Sequence, residues 1–251
     1  MYKRMLIWTA LFLASSSLTF GQNPNPTWLS FMTTKIKPDM RQEYEGYMKE
    51  ISAAYKKGGA PFRVVTQNAF GDLNEYTSVT QISDFASMEQ PSLLVKVLGE
   101  ENWAHLSKNL ARCSVESQRV GAQVRSEVTI RRATPASYTY GLLSHTVIAP
   151  GRLDDYESWL KSDYLPALKK GGVEDYWVNR TIFGGNFNEV NAIRWLKTLG
   201  ELDGGPILNK AVGAEAATKI NAKAAPMIRS QRLVVVRLRT DLSYMPQPPA
   251  R

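Results

Sequence analysis

Apolar residues fall into two periods along this chain, and the period changes at prolines and glycines. Residues 28–37 and 140–149 are runs rich in aromatic and β-branched side chains, closed by Pro38 and Pro150, and they predict strands. After each proline the apolar step lengthens to three and four: Met40, Tyr44, Tyr47, Met48, Ile51 and Tyr55 in one stretch, Leu153, Tyr156, Leu160, Tyr164 and Leu168 in the other. Each stretch predicts a helix, and each runs into Lys-Lys-Gly-Gly, at 56–59 and 169–172. Lysines suit the negative end of a helix, and glycine tolerates the left-handed backbone that stops one. A phosphate loop has a similar composition, but it opens a helix, whereas these glycines follow one.

Two strand patterns come next in each stretch, 62–70 with 75–82 and 176–183 with 190–196. Their links, Gly71-Asp72-Leu73-Asn74 and Gly184-Gly185-Asn186-Phe187-Asn188, suit antiparallel hairpins. A second helical pattern follows in Trp103, Leu106, Leu110, Cys113, Val120 and Val124, with one gap at Glu116-Ser117; Leu208, Ala211, Ile220, Ala224 and Met227 match it later. Residues 126–131 and 232–239 then predict fourth strands, so each half reads β-α-β-β-α-β, the ferredoxin-like order.

The halves also match residue by residue. Lys-Lys-Gly-Gly and the pair Phe70-Gly71 with Phe183-Gly184 share an offset of 113; Pro38 with Pro150 and Tyr44 with Tyr156 give 112, and Asn74-Glu75 with Asn188-Glu189 gives 114. Five pairs in one order at nearly one offset predict a tandem duplication. The expected units are 28–132 and 140–242, with Ala133-Thr134-Pro135-Ala136-Ser137 as linker and 243–251, which holds Pro246-Gln247-Pro248-Pro249, as an extended tail.

The N-terminus reads as a removable segment. Lys3-Arg4, a short apolar run from Met5 to Leu13, serines 15–17 and small residues near Thr19 and Gly21 form the pattern of a secretory signal peptide, with cleavage expected after Gly21. A membrane anchor needs about 20 apolar residues, and the serines arrive too early. A periplasmic or secreted protein of roughly 230 residues is the expectation, one or two domains in size. Its single cysteine, Cys113, rules out an internal disulfide and fits an apolar helix face as packing. Loss of Lys3 and Arg4 lowers the formal charge of +8 by two. The basic residues are interspersed with acidic ones, so no nucleic-acid partner is expected, and no membrane partner once the signal is gone.

The element order, together with Tyr156-Glu157-Ser158-Trp159-Leu160 and Tyr164-Leu165-Pro166-Ala167-Leu168-Lys169-Lys170-Gly171-Gly172, resembles the dimeric α/β-barrel superfamily. That group holds antibiotic-biosynthesis-monooxygenase-like, NIPSNAP-like and stress-responsive barrel domains. The second segment is similar to the first helix of NIPSNAP-like domains, where a leucine-proline pair precedes a lysine- and glycine-rich end; the first half lacks this pair. The resemblance implies an α+β fold, two tandem ferredoxin-like units closing a pseudo-dimeric α/β barrel. Helices cover one face of each sheet, and the other face needs a partner. It also implies a site in the barrel interior or at its mouth, and a homo-oligomer is possible.

Strand alternation sorts the candidates for that site. His145 shares a face with Leu143 and Val147; Trp177 shares one with Asn179, Thr181 and Phe183; Trp195 goes with Asn191 and Ile193. Either parity is compatible with the barrel interior, and if the faces coincide, His145, Asn179 and Trp195 line one pocket. Histidine is suited to proton transfer near neutral pH, so His145 is the candidate catalytic residue, opposed by its reading as a half-buried strand histidine. Its counterpart in the first half is Thr33. Trp177, Asn179, Trp195 and Arg194 are the candidate ligand-binding residues, Arg194 for an anionic group, or as an ordinary cross-strand partner.

Haem-degrading members of the superfamily use asparagine, tryptophan and histidine on separate elements; the local Asn102-Trp103-Ala104-His105 does not match them and reads as a surface histidine near a helix start. Two histidines and one cysteine show no metal-ligand spacing, so neither metal nor cofactor is expected. Three functions follow: an exported small-molecule-binding protein, a cofactor-independent monooxygenase or isomerase using His145, and a non-catalytic structural or interaction module.

Overall fold

A computed structural model describes residues 26–132 and 137–246. The expected signal peptide, most of the expected linker and the last residues of the expected tail lie outside the described residues. The strands are β1 (Trp28–Ile36), β2 (Arg63–Asn68), β3 (Glu75–Ile82), β4 (Ser114–Val124), β5 (Tyr140–Ile148), β6 (Tyr176–Phe183), β7 (Glu189–Leu196) and β8 (Ile228–Leu238). They close an antiparallel barrel in the order β1-β3-β2-β8-β5-β7-β6-β4. One contiguous run is therefore β4-β1-β3-β2 and the other β8-β5-β7-β6. The seams between them are short: residues 66–68 of β2 pair with 236–238 of β8, and β4 meets β6 over 121–124.

Helices pack outside. α1 (Arg41–Lys57), α2 (Leu93–Leu98) and α3 (Glu100–Cys113) cover the first run, where Ile36, Val65 and Tyr76 meet Tyr44, Met48, Ile51, Leu94 and Leu106. α4 (Leu153–Trp159), α5 (Leu165–Lys170), α6 (Ile207–Val212) and α7 (Ala214–Ala224) cover the second, where Ile148, Val178, Val190 and Ala192 meet Tyr156, Trp159, Leu160, Leu168 and Ala224. Each valine, leucine, isoleucine or methionine among them, taken from water, contributes about 1.5–3 kcal/mol. Because alternate residues point to opposite faces, these contacts fix the other parity as the barrel interior: Phe31, Thr33, Val64, Thr66, Thr77, Val79, Leu143, His145, Asn179, Asn191 and Ile193.

The two runs are latched reciprocally. After β4 the chain makes a 3-10 turn, Ser126–Val128, that puts Val128 into the core of the second run; after β8 the turn Thr240–Leu242 puts Leu242 into the core of the first. Arg125 just before one turn donates to Glu157 on α4 at 2.9 and 2.6 Å, and Arg239 before the other donates to Glu45 on α1 at 2.5 and 2.8 Å. Arg125 also meets Glu127, and Arg239 meets Asp241.

The periodicity misplaces the fourth strands. β4 begins at Ser114, directly after α3 ends at Cys113, and residues 126–131 hold the turn and an isolated bridge from Ile130 to Tyr176. β8 likewise starts at Ile228, ahead of the expected 232. A spacing of four satisfies both the helical and the strand period, so Val120 and Val124 fitted the wrong one. The expected second helix of the second half is broken at Gly213 (φ 83°) between α6 and α7, and in the first half a short unexpected helix, α2, precedes α3 across Gly99 (φ 84°). The helical stretch 153–170 also departs from regularity, with a π-helical turn, Leu160–Tyr164, between α4 and α5. Pro166 has no N–H to return to the preceding turn, and a widened turn absorbs that loss. α1 has no proline and runs unbroken.

Candidate functional site at the barrel mouth

One row of side chains crosses the interior of the second run. His145 on β5 pairs with Asn191 on β7, and Asn191 pairs with Asn179 on β6. Asn191 Nδ2 donates to Thr181 Oγ1 at 3.2 Å, but the Oδ1 atoms of both Asn179 and Asn191 are buried without a hydrogen-bond partner. Above them, at the end of the strands, His145 Nδ1 lies 3.1 Å from Glu189 Oε1. Val147, Ser230, Gln231 and Arg232 complete the rim of a cavity of about 310 Å³.

The electrostatics of this mouth are set by the pair. The hydrogen bond from His145 holds the Glu189 carboxyl below the usual glutamate range, against the upward push of burial, with help from Asn191 and Arg232. A carboxylate accepts, so Nδ1 carries the proton and Nε2 remains the nitrogen able to take one from a ligand. The corresponding row in the first run is Thr33, Thr77 and Thr66. There the Thr33 and Thr77 hydroxyls satisfy each other at 3.0 Å. The Lys35 and Asp72 side chains form an ion pair near that end of the barrel.

The expected site residues separate into three places. His145 and Asn179 stand on one interior row. Trp177 and Trp195 share the interior parity but sit toward the opposite end of the barrel, ring centroids 6.5 Å apart and edge to face. Trp195 pairs with Gly141, four residues from His145, roughly 13 Å along the strand. Arg194 lies on the helix side of the sheet, the face opposite His145, and is buried. A single pocket shared by His145, Asn179 and Trp195 is therefore not formed. Phe183 leaves its expected row as well: an irregularity in the β4–β6 register sets it against Gly121, and its ring meets Trp28 and Phe85. His105 is exposed on α3, with Asn109 Nδ2 3.3 Å from its Nδ1.

Two residues of the mouth were not singled out for chemistry from sequence. Glu189 served only as a marker of the offset, and Asn191 only as a strand mate of Trp195. The signal for Asn191 is the contrast across that offset, where Thr77 stands in its place, whereas Glu189 is matched by Glu75 and offers no such contrast. Among the described residues no cluster of three or more histidine, cysteine or acidic side chains could hold a metal ion, and no helix is long and apolar enough to cross a membrane.

No family model matches the sequence, and no curated protein matches it. Solved structures do. A protein assigned as a monooxygenase from Lactobacillus acidophilus NCFM covers 88% of this chain and 100% of its own, at 11% identity and a TM-score of 0.61. An anthrone oxidase-like protein covers 86% and 92% at 11% identity and 0.55, and a chlorite dismutase variant from Candidatus Nitrospira defluvii covers the same shares at 7% identity and 0.54. A haem-binding protein from Thermus thermophilus covers 86% and 93% at 9% identity and 0.50. At these identities the likeness is one of fold: a closed, eight-stranded antiparallel barrel with helices outside, here with both halves in one polypeptide.

Proposed function

We propose that this chain is an exported small-molecule-binding protein, periplasmic or secreted, whose ligand enters at the His145 mouth and carries hydrogen-bond donors on a partly apolar body. The two buried, unpartnered amide oxygens of Asn179 and Asn191 carry this reading. A buried acceptor left empty costs about 1–3 kcal/mol, and an N–H or O–H of a ligand offsets it. Half-buried Leu143 and Ile193 beside them offer apolar contact. Neighbours of this fold are assigned to monooxygenase, oxidase and haem-binding roles, all directed at small molecules.

Haem itself does not fit these residues. His105 is exposed on α3, and the helix side of the second sheet is filled by Trp159, Leu168, Val178, Val190 and Ala192. A second reading, a cofactor-independent monooxygenase or isomerase, draws on the His145–Glu189 pair, which fixes the tautomer a base requires. A purely structural module would need the interior satisfied by its own side chains, and the empty acceptors weigh against that.

The two runs are read as a tandem duplication, supported by their common strand order and by latches that recur at nearly the same offset as the sequence matches. The Leu165-Pro166 segment keeps the second copy on the NIPSNAP-like reading. Assembly into a homo-oligomer is compatible with this arrangement.

A native mass spectrum of the secreted protein tests ligand and export together. The expected species starts at Gln22 and carries one small adduct, which His145→Ala weakens by tenfold or more. Retained affinity with abolished turnover in that variant would favour the enzyme. A chain starting at Met1, or a parent without adduct whose affinity for every candidate is unaffected by the substitution, would remove the proposal.

A further inference from the structure

A second cleft lies at the Trp195 end of the barrel, where residues of both faces meet, and it is built around a buried cation with no hydrogen-bond partner. Arg194 sits on β7 between its cross-strand neighbours Leu142 and Tyr176 and is only 6% exposed. Its Nε is buried with no hydrogen bond, and no ion pair reaches the guanidinium among the described residues. Burial opposes its charge and the Glu201 carboxylate favours it from a distance, without a direct contact, and a guanidinium keeps its proton in proteins. A buried charge without a directly hydrogen-bonded counter-ion is costly, which is a reason to look for an anion from outside the chain.

The acidic groups around the cleft are engaged elsewhere. Asp175 accepts from the Tyr138 hydroxyl, from the Arg132 backbone at 3.0 Å and from Trp177 Nε1 at 3.3 Å. Glu174 pairs with Arg132. Glu201 caps the 3-10 turn Leu199–Leu202, its Oε1 accepting from the backbone of Lys197 at 2.7 Å and of Thr198 at 3.4 Å. The cleft, about 230 Å³, holds Arg194 and Lys197 beside these already hydrogen-bonded or paired carboxylates, with the stacked rings of Tyr138 and Trp195, 6.1 Å apart, as an apolar wall.

We propose that this cleft is a binding subsite for a small organic carboxylate, held by the Arg194 guanidinium with its apolar body against Trp195 and Tyr138. A planar fork matches a carboxylate in two parallel hydrogen bonds, Lys197 adds charge at the rim, and the volume suits a compact acid. The site is separate from the His145 mouth and stands whether or not that mouth binds a ligand.

Benzoate, benzamide and inorganic phosphate are the probes, titrated calorimetrically into the full mature protein. Benzoate is expected to bind once per chain, at least tenfold tighter than benzamide or phosphate, and to shift the Trp195 indole NMR signal, assigned with Trp195→Phe. Arg194→Met, which keeps length and packing, should lower benzoate affinity at least tenfold. Arg194→Lys, which keeps charge but loses the fork, should lower it less. Equal binding of benzoate and benzamide, phosphate as tight as benzoate, an unmoved indole signal, or full affinity in Arg194→Met would each overturn the proposal. Should Arg194→Met not fold, the indole shift and the Lys variant decide.

Discussion

Glu189 carries the pH dependence of the mouth. Its folded-state carboxyl titrates below the ordinary 4.5, first because of the hydrogen bond from His145. A depressed folded value means that the group contributes stability fully above the unfolded value, and that this contribution is lost as pH falls through the folded one. Urea midpoints measured from pH 6 downward should therefore drop in the parent below about pH 4.5, and Glu189→Gln should make the acid limb shallower. Some slope will persist, since Glu45, Asp163 and Asp241 are held low by their own cationic partners. An acid limb identical in parent and variant would mean that the carboxylate is not engaged as described. At this scale alternation, a local property, sorted His145 and Asn179 within their own strands and left open whether those faces coincide; the strand pairing puts both on one interior row. The sequence could not put Arg194 and Trp195 apart by function, since adjacent residues of one strand differ only in which layer covers them, and that is decided by helices far along the chain.

Elements were legible wherever a proline or glycine closed them, as at Pro38, Pro150 and the Lys-Lys-Gly-Gly ends. They were illegible where helix passed into strand without a break, as from Cys113 to Ser114, because Cys113 still faces the helical core while β4 turns mostly exposed side chains outward until Val120. The stretch 126–131, expected as a fourth strand, is a latch, and its partner near the C-terminus has the larger buried side chain. Leu242 is fully buried against α1 residues, and its carbonyl accepts from Arg63 Nη1 at 2.8 Å and from the Ser52 hydroxyl. Leu242→Ala removes three buried carbons from a site fixed by those bonds, so little collapse can fill the space. The expected cost is about 2–5 kcal/mol, read as a lower urea midpoint with an unchanged slope. Because the residue belongs to the second run and packs in the first, the amides of α1 should exchange faster along with the tail. A loss of protection confined to residues after 239 would show that the latch is only a docked end.

The same exchange of parts governs the molecule as a whole. Each run has helices on one face and an apolar interior on the other, including Phe31, Val64 and Val79 in the first and Leu143, Ile193 and Val234 in the second. Neither interior is covered within its own run, and each helical core lacks one residue, Val128 or Leu242, that the other run supplies. The seams add only a few backbone pairs, so burial and the two Arg–Glu latches are what join the halves. Stability should then belong to the pair. Cutting the chain between residues 132 and 137 and expressing the two parts together should give a one-to-one complex with the circular dichroism of the intact protein. Residues 26–132 alone should either pair with a second copy or remain poorly packed, because self-pairing would meet Thr66, Thr77 and Thr33 across the barrel but find no Leu242 for the α1 core. A monomeric, cooperatively unfolding fragment would contradict this, since it would require a bare sheet face of several half-buried apolar side chains to be stable in water, against the roughly 25 cal/mol per Å² that drives such surfaces together.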